Sequence, residues 1–215
     1  LVISVIVPTL DEEERLAGLL ADVRGAEIVV VDGGSSDGTL AVARAAGATV
    51  VVAPRGRGTQ LAAGVEAARG DRLWFLHADV RIDPGAVSAV EAAAGPWGCF
   101  AVRFDVDDPR LRFTAAWMNA RARRSGAITG DMGIWVDRSL YDDLGGFPPL
   151  ASFEDLVFTD RARRVVRPQV LLPPLVLSAR RWVRRGYART TLEHWGLRGA
   201  YRLGVPPSRL ASLYR

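Results

Sequence analysis

Four short apolar runs, each rich in branched side chains and each followed by a helical pattern, constrain this chain more than any other feature. Ile3–Val7, Ile28–Val31, Thr49–Ala53 and Leu73–Leu76 read as strands covered on both faces, because their apolar residues run on without polar alternation. Helical stretches separate them. The first opens on acids at Asp11–Glu14 and lines up Leu16, Leu19 and Leu20 on one face. The second is capped by Ser36 or Asp37 and runs to Ala46, the third covers Gln60–Ala68, and Pro84 opens a fourth that ends near Ala94. This alternation predicts an α/β fold, a three-layer sandwich with a mostly parallel sheet between helices.

The second half is less regular. Strands are expected over Cys99–Val106 and Ile134–Asp137, and helices over Leu111–Arg123, Glu154–Arg164 and Tyr187–Leu203. A length of 215 residues suits one domain, and a hydrophobic fraction of 49% is enough for a substantial core. No repeat, low-complexity tract or long linker divides the chain. The longest apolar runs, Ile28–Val31 and Val170–Leu177, are too short or too proline-broken to span a bilayer. Leu1–Pro8 lacks the basic start and small-residue cleavage site of a signal peptide. The single cysteine, Cys99, excludes an internal disulfide framework and a cysteine-based zinc site, and a cytoplasmic location is expected.

In an open α/β sheet, ligands bind beyond the carboxyl ends of the strands. Asp32 and Asp79 fall at two such ends, and Asp11 follows the first strand closely. Three carboxylates on one edge repel each other unless a divalent cation or a set of ligand hydroxyls compensates them. Hard oxygen donors with phosphate partners point to magnesium or manganese. Each acid has a plainer reading: Asp32 satisfies the amides of its own loop, Asp37 caps a helix, and Asp79 starts the turn before Pro84.

Several chemistries are excluded. A dinucleotide fold needs G-x-G-x-x-G after its first strand, whereas Pro8-Thr9-Leu10-Asp11-Glu12-Glu13-Glu14 stands there and would repel a pyrophosphate. All 28 basic residues are arginine, so no lysine serves a phosphate-binding Walker loop. No G-x-S-x-G nucleophile elbow occurs, and His77 and His194 have no zinc-ligand spacing. The formal charge of +4 is unevenly spread, with arginine dominant from Arg161 onward. Such a tail suits diphosphate, anionic lipid or nucleic acid, or is simply a solvated helix face.

These residues resemble family 2 glycosyltransferases. The matching pieces are Val5–Glu12, Val30–Thr39 with its Asp32-Gly33-Gly34-Ser35-Ser36-Asp37-Gly38 core, and Phe75–Asp79. Gly130–Gly133, Gly145-Gly146-Phe147 and Glu154-Asp155 follow in the family's order. More narrowly, Arg55–Gln60 and His77-Ala78-Asp79 resemble a compact bacterial subgroup labelled arsenosugar-biosynthesis glycosyltransferases. The resemblance implies a single GT-A domain over residues 1–215. Residues 1–95 would form the nucleotide-sugar half, 96–177 the acceptor half, and 178–215 a basic, helical C-terminal element.

The resemblance also implies roles. Pro8, Thr9, Asp11, Glu12, Asp32, Arg57, Gln60, His77, Ala78 and Asp79 would bind the nucleotide-sugar, with Asp79 holding a Mn2+ or Mg2+ ion against the diphosphate. Asp155 would be the general base on the acceptor hydroxyl, its pKa raised by neighbouring Glu154. Gly130, Asp131, Arg181 and Trp182 would face the diphosphate or acceptor, and Trp182 is expected to be exposed. Trp135 and Phe153 are assigned to the core. Departures are visible: Asp11 stands where the family has asparagine, His77 replaces the first acid of D-x-D, and Ala62 and Ser178 replace polar positions.

The implied reaction is inverting, metal-dependent transfer from a nucleoside-diphosphate sugar, with UDP as the favoured carrier, to a hydroxyl acceptor on a small molecule, glycan or lipid. No nucleic-acid partner is implied. Two alternatives differ in class. A nucleotidyltransferase would share the sheet but carry a basic loop after the first strand. A non-catalytic homologue would bind a partner, or the inner face of the membrane peripherally, through the basic tail.

Overall fold

The computed structural model describes the backbone of residues 1–213 and the side chains of residues 1–210. Tyr214 and Arg215, the end of the expected basic element, lie outside the described residues. The strands are β1 (Ile3–Thr9), β2 (Glu27–Asp32), β3 (Thr49–Val52), β4 (Arg72–Phe75), β5 (Trp97–Phe104), β6 (Trp135–Asp137) and β7 (Gln169–Leu177). The helices are α1 (Glu13–Asp22), α2 (Thr39–Ala45), α3 (Arg57–Ala67), α4 (Ala86–Glu91) and α5 (Pro109–Ser125). They continue with α6 (Arg138–Asp143), α7 (Glu154–Val165), α8 (Arg180–Arg185), α9 (Tyr187–Arg202) and α10 (Pro207–Leu213). A short 3-10 turn covers Gly130–Met132.

The strands form one sheet in the order β3-β2-β1-β4-β6-β5-β7. Only β6 runs against its neighbours; the remaining pairs are parallel. The parallel frame follows from the apolar runs: Val29, Val30 and Val31 are completely buried, and each such side chain contributes roughly 1.5–3 kcal/mol through removal from water. Helix α3 lies close on β1 and β2 because Gly64 has no side chain; a Cβ there would meet Ile6 Cγ2 at 2.5 Å and Val31 Cγ2 at 2.9 Å. Trp74, Trp97, Trp135, Phe100 and Phe158 fill the centre, and Trp135 is core as expected. The buried charge of Arg72 on β4 is compensated: Arg72 reaches Asp137 at 2.7 Å and the Val90 and Ala93 carbonyls at 2.6 and 3.1 Å.

Two local expectations need correction, and one strand lies where the sequence marked none. Pro8 does not end β1, which continues to Thr9. The Ile6 carbonyl accepts from Leu76, so Pro8, two residues on, faces the side where β4 has already stopped and needs no N–H there. The proline-broken run near Val170 is a strand. It lies at the sheet edge, and Pro173 and Pro174 fall in a register shift opposite Phe100–Val102, where no ladder donor is needed. Helix α2 is capped at Gly38 without a side-chain bond, while Asp37 accepts the Thr39 N–H at 3.0 Å just inside it.

Candidate active site

The carboxyl ends of β1 and β4 open into a cavity of about 770 Å3, a size typical of small-ligand sites. Pro8, Thr9 and Glu12 line it from the β1 end, and His77, Ala78 and Asp79 from the β4 end. Arg57 and Gln60 face it from α3, Asp131 and Asp155 from the second half of the chain, and Arg180, Arg181, Trp182 and His194 from α8 and α9.

Of the three acids read as convergent, Asp79 lines this cavity, whereas Asp11 and Asp32 do not. Asp32 is 1% exposed. It accepts the Gly34 and Ser35 amides at 2.9 and 2.8 Å, the Ser35 hydroxyl, and the Thr9 hydroxyl at 3.3 Å. Burial raises its pKa, but these donors outweigh burial and leave it below the usual carboxylate range. Asp11, in a left-handed conformation at φ 52°, accepts the Ser36 amide at 2.7 Å. Glu13 accepts the Gly38 amide at 2.9 Å, and the Glu12 and Glu13 amides donate in return to Thr39 and Asp37. The acidic first loop and the Gly-Ser-rich second loop are thus stitched to each other. Gln60 is committed as well: its amide donates to the Thr9 and Val31 carbonyls at 3.0 and 2.9 Å, which ties α3 to β1 and β2.

The cation facing Glu12 and Asp79 is Arg180, next to Arg181, the residue named from the sequence. The Arg180 guanidinium lies 2.7 Å from Glu12 and 3.1 Å from Asp79. Burial opposes its charge, but Glu12 and Asp79 outweigh that and raise its pKa. Arg181 also lines the cavity, 3.4 Å from His194 Nε2. Burial and the like charge of Arg185 lower its pKa. Trp182 is half-buried, not exposed as expected: its ring meets Phe104 edge-on at 4.9 Å and His194 at 5.5 Å. These contacts hold the Trp182 ring in place while the residue still lines the cavity.

At the opposite side, α7 begins with Phe153 in a left-handed conformation, φ 70°. For a bulky residue this is an outlier costing roughly 1–3 kcal/mol, and such strain concentrates at functional sites. Phe153 is buried but, beyond its expected core role, also lines the cavity. The turn separates the two acids that follow. Asp155 lines the cavity, its carboxylate accepting the Gly130 amide at 2.6 Å and the Leu156 amide at 2.8 Å. Glu154 turns away, 1% exposed, into an ion pair with Arg57 at 2.5 Å. Burial pushes the Glu154 carboxyl up to about 7, against the pull of Arg57 and with a push from Asp155. Glu154 thus carries a raised carboxyl, and it supports Asp155 from behind without lining the cavity.

Arg57 is positioned by the glycines around it. Gly58 N–H donates to the Leu150 carbonyl at 2.9 Å, which docks α3 against the segment leading into α7. Burial disfavours the Arg57 charge, and Glu154 and Asp155 more than offset this and raise its pKa. His77 Nε2 sits 3.5 Å from Arg57. Burial and that guanidinium lower the His77 pKa, against Asp79, Asp131 and Asp155, which favours the neutral imidazole. Gly130 and Asp131 lie where the 3-10 turn meets α7, and one Asp131 oxygen is buried without a hydrogen-bond partner.

Among the described residues no three histidine, cysteine or carboxylate side chains gather into a ready-made metal site. The donor set around Asp79 fits a hard cation held jointly with a ligand's phosphates, because magnesium-type ions commonly take one or two carboxylates and complete their shell from substrate oxygens.

Comparison with known proteins places this geometry. The model of the family described as "Glycosyl transferase family 2" matches residues 4–123, more than half of the chain. An uncharacterized glycosyltransferase of Mycobacterium tuberculosis (strain ATCC 25618 / H37Rv) is 42% identical over 85 residues, 39% of each chain. A Mycobacterium bovis protein of the same description matches equally. The chain thus spans about 39% of the length of these curated relatives. Among solved structures, S. aureus TarS 1–349 superimposes with a TM-score of 0.65 at 20% identity, covering 83% of this chain and 61% of that one. TarS 1–349 has also been solved in complex with UDP-GlcNAc. The mannosyltransferase PcManGT from Pyrobaculum calidifontis, in complex with GDP-Man and Mn2+, gives 0.64 at 22% identity, covering 94% and 61%. The GT-A arrangement expected from the sequence is the fold observed, and the chain belongs to glycosyl transferase family 2.

Proposed function

We propose that this protein transfers a sugar from a nucleoside-diphosphate sugar to a hydroxyl acceptor, with inversion at the anomeric carbon. The observation that carries the reading is that Asp79, Asp155, Arg180 and Arg181 face one cavity at the carboxyl ends of the strands. The similar TarS and PcManGT structures hold UDP-GlcNAc and GDP-Man, which supports a nucleotide-sugar donor; UDP is the favoured carrier.

The chemistry assigns each group a task. The diphosphate gains charge as the glycosidic bond breaks, so cations must face it. Arg180 and Arg181 are placed for this, and Asp79 with His77 would hold a Mn2+ or Mg2+ ion whose charge supplements theirs. The acceptor hydroxyl must lose its proton as it attacks. Asp155 is the cavity carboxylate suited to accept it, oriented by the Gly130 and Leu156 amides. Glu154 and Arg57 hold α7 and α3 together behind it. Trp182 offers a ring face to a sugar.

The test is to incubate the protein with UDP- and GDP-sugars and a divalent cation and follow the released sugar by NMR. First-formed sugar of inverted configuration is expected. Retention would remove Asp155 from its role, and the absence of both transfer and donor hydrolysis by folded protein would overturn the reading.

A further inference from the structure

The exposed sides of α5 and α9 show aromatic and aliphatic residues where a helix on a globular domain ordinarily hides them. On α5, Phe113 and Trp117 stand one turn apart, 62% and 51% exposed. On α9, Leu192 and Trp195 are 69% and 55% exposed, while Thr190 is fully buried. The two helices form one surface: the Trp117 and Trp195 rings lie 6.5 Å apart, and the Tyr187 hydroxyl sits 2.9 Å from Thr114 Oγ1 and donates to the Arg110 carbonyl at 3.2 Å. The opposite side of α8 and α9 carries Arg181, Trp182 and His194 into the active-site cavity, so the outer apolar side is not needed to build that site.

The charge around this surface selects its occupant. Helices α5, α8 and α9 carry twelve arginines, of which Arg180, Arg181 and Arg198 turn to the cavity, and one acid, Glu193, itself 3.2 Å from Arg185. At the margin, Asp107 and Asp108 are paired with Arg112 and Arg110 at 3.4 and 2.7 Å. A second copy docking through the same face would set arginines against arginines, since a two-fold interface is self-complementary. An anionic bilayer has what the face lacks: negative charge at its surface and an apolar layer a few ångströms below. Tryptophan and phenylalanine seat at that depth, and arginine extends its charge to the headgroups.

We propose that the outer face of α5, α8 and α9 seats this protein peripherally on an anionic lipid surface, with Phe113, Trp117, Leu192 and Trp195 entering the interface and arginines meeting the headgroups. The seat is independent of the sugar-transfer reading.

The experiment is sedimentation of the full chain with phosphatidylcholine vesicles containing or lacking phosphatidylglycerol, with light scattering of the protein alone. Binding to the anionic vesicles, weakened by salt, is expected. The triple variant Phe113→Ser, Trp117→Ser, Trp195→Ser should bind about tenfold or more weakly. Arg184→Gln with Arg189→Gln should lose about fivefold per charge on anionic vesicles. Circular dichroism checks that both variants fold. A concentration-dependent dimer that the triple variant abolishes, without vesicle binding, would assign the face to a second copy and overturn the proposal. Monomeric protein that ignores both vesicle types, or a triple variant that binds as well as the parent, would overturn it too.

Discussion

Replacing Gly58 with alanine tests the joint between α3 and the segment that leads into α7. A Cβ at this position would lie 2.2 Å from the Pro148 carbonyl oxygen and 2.8 Å from both the Leu150 nitrogen and oxygen. All three are backbone atoms, so no side chain can swing aside, and the segment must retreat by about 1 Å. That retreat strains the Gly58-to-Leu150 hydrogen bond of 2.9 Å and the Arg57-to-Ala151 bond of 3.4 Å. Losing them costs about 1 kcal/mol each. Overpacking adds about 1–3 kcal/mol, and alanine's helix preference returns about 0.5–1 kcal/mol. The net expectation is a destabilisation of about 2–4 kcal/mol, or a fall in Tm of roughly 5–15 °C for a domain of this size. Because the displaced segment runs into the strained Phe153 turn and Asp155, turnover should fall by about a hundredfold. Calorimetry and a transfer assay read the two effects. Gly199→Ala in α9, where nothing lies within 4 Å of the added carbon, is the control and should leave Tm unchanged or slightly raised. A Gly58→Ala protein with parental Tm and turnover would refute the reasoning.

Much of the parallel frame is legible in the sequence because strands buried on both faces are written as uninterrupted apolar runs. Strand β7 is not, since Pro173 and Pro174 argue against a strand everywhere except at an edge with a register shift, and only the sheet order shows that edge. The short helices α6 and α8 have too few turns to display a period. For the site, periodicity locates strand ends but not the direction in which a carboxylate turns. Asp79 faces the cavity, whereas Asp32, at an equivalent strand end, is consumed by Ser35, Gly34 and Thr9. Choosing Arg180 over Arg181 as the partner of Glu12 and Asp79 depends on helix phase at a terminus, where one residue is a rotation of about 100°, whereas Asp155, named through the family resemblance, does face the cavity.

Three further outcomes follow from the geometry. The Glu154 carboxyl, raised by burial from 4.5 to about 7, keeps its proton in the folded chain at pH values where the unfolded chain has released it. Its contribution to stability is therefore present below about pH 4.5 and lost as pH rises through 7; relative to Glu154→Gln, the parent should lose about 2–3 kcal/mol, or roughly 5–10 °C in Tm, between pH 5 and 8. A pH-independent difference between the two melting curves would contradict this. Asp155→Asn should cut turnover by about a hundredfold or more while nucleotide affinity and Tm stay near parental values, as read by kinetics and calorimetry. Arg180→Gln, which removes the cation between Glu12 and Asp79, should weaken nucleoside-diphosphate binding about tenfold, and titration with and without a divalent cation checks whether the remaining affinity depends more steeply on metal.

The central claim, that the cavity at the ends of β1 and β4 is a nucleotide-sugar donor site, is tested most directly by calorimetric titration of UDP, GDP, ADP and CMP. Each is titrated with and without Mn2+ into the parent and into Asp79→Ala. The account predicts metal-dependent binding of one nucleoside diphosphate, UDP foremost, that disappears in Asp79→Ala while the fold is retained. Absence of binding by any nucleotide to folded parent protein, or undiminished metal-dependent binding by Asp79→Ala, would contradict it.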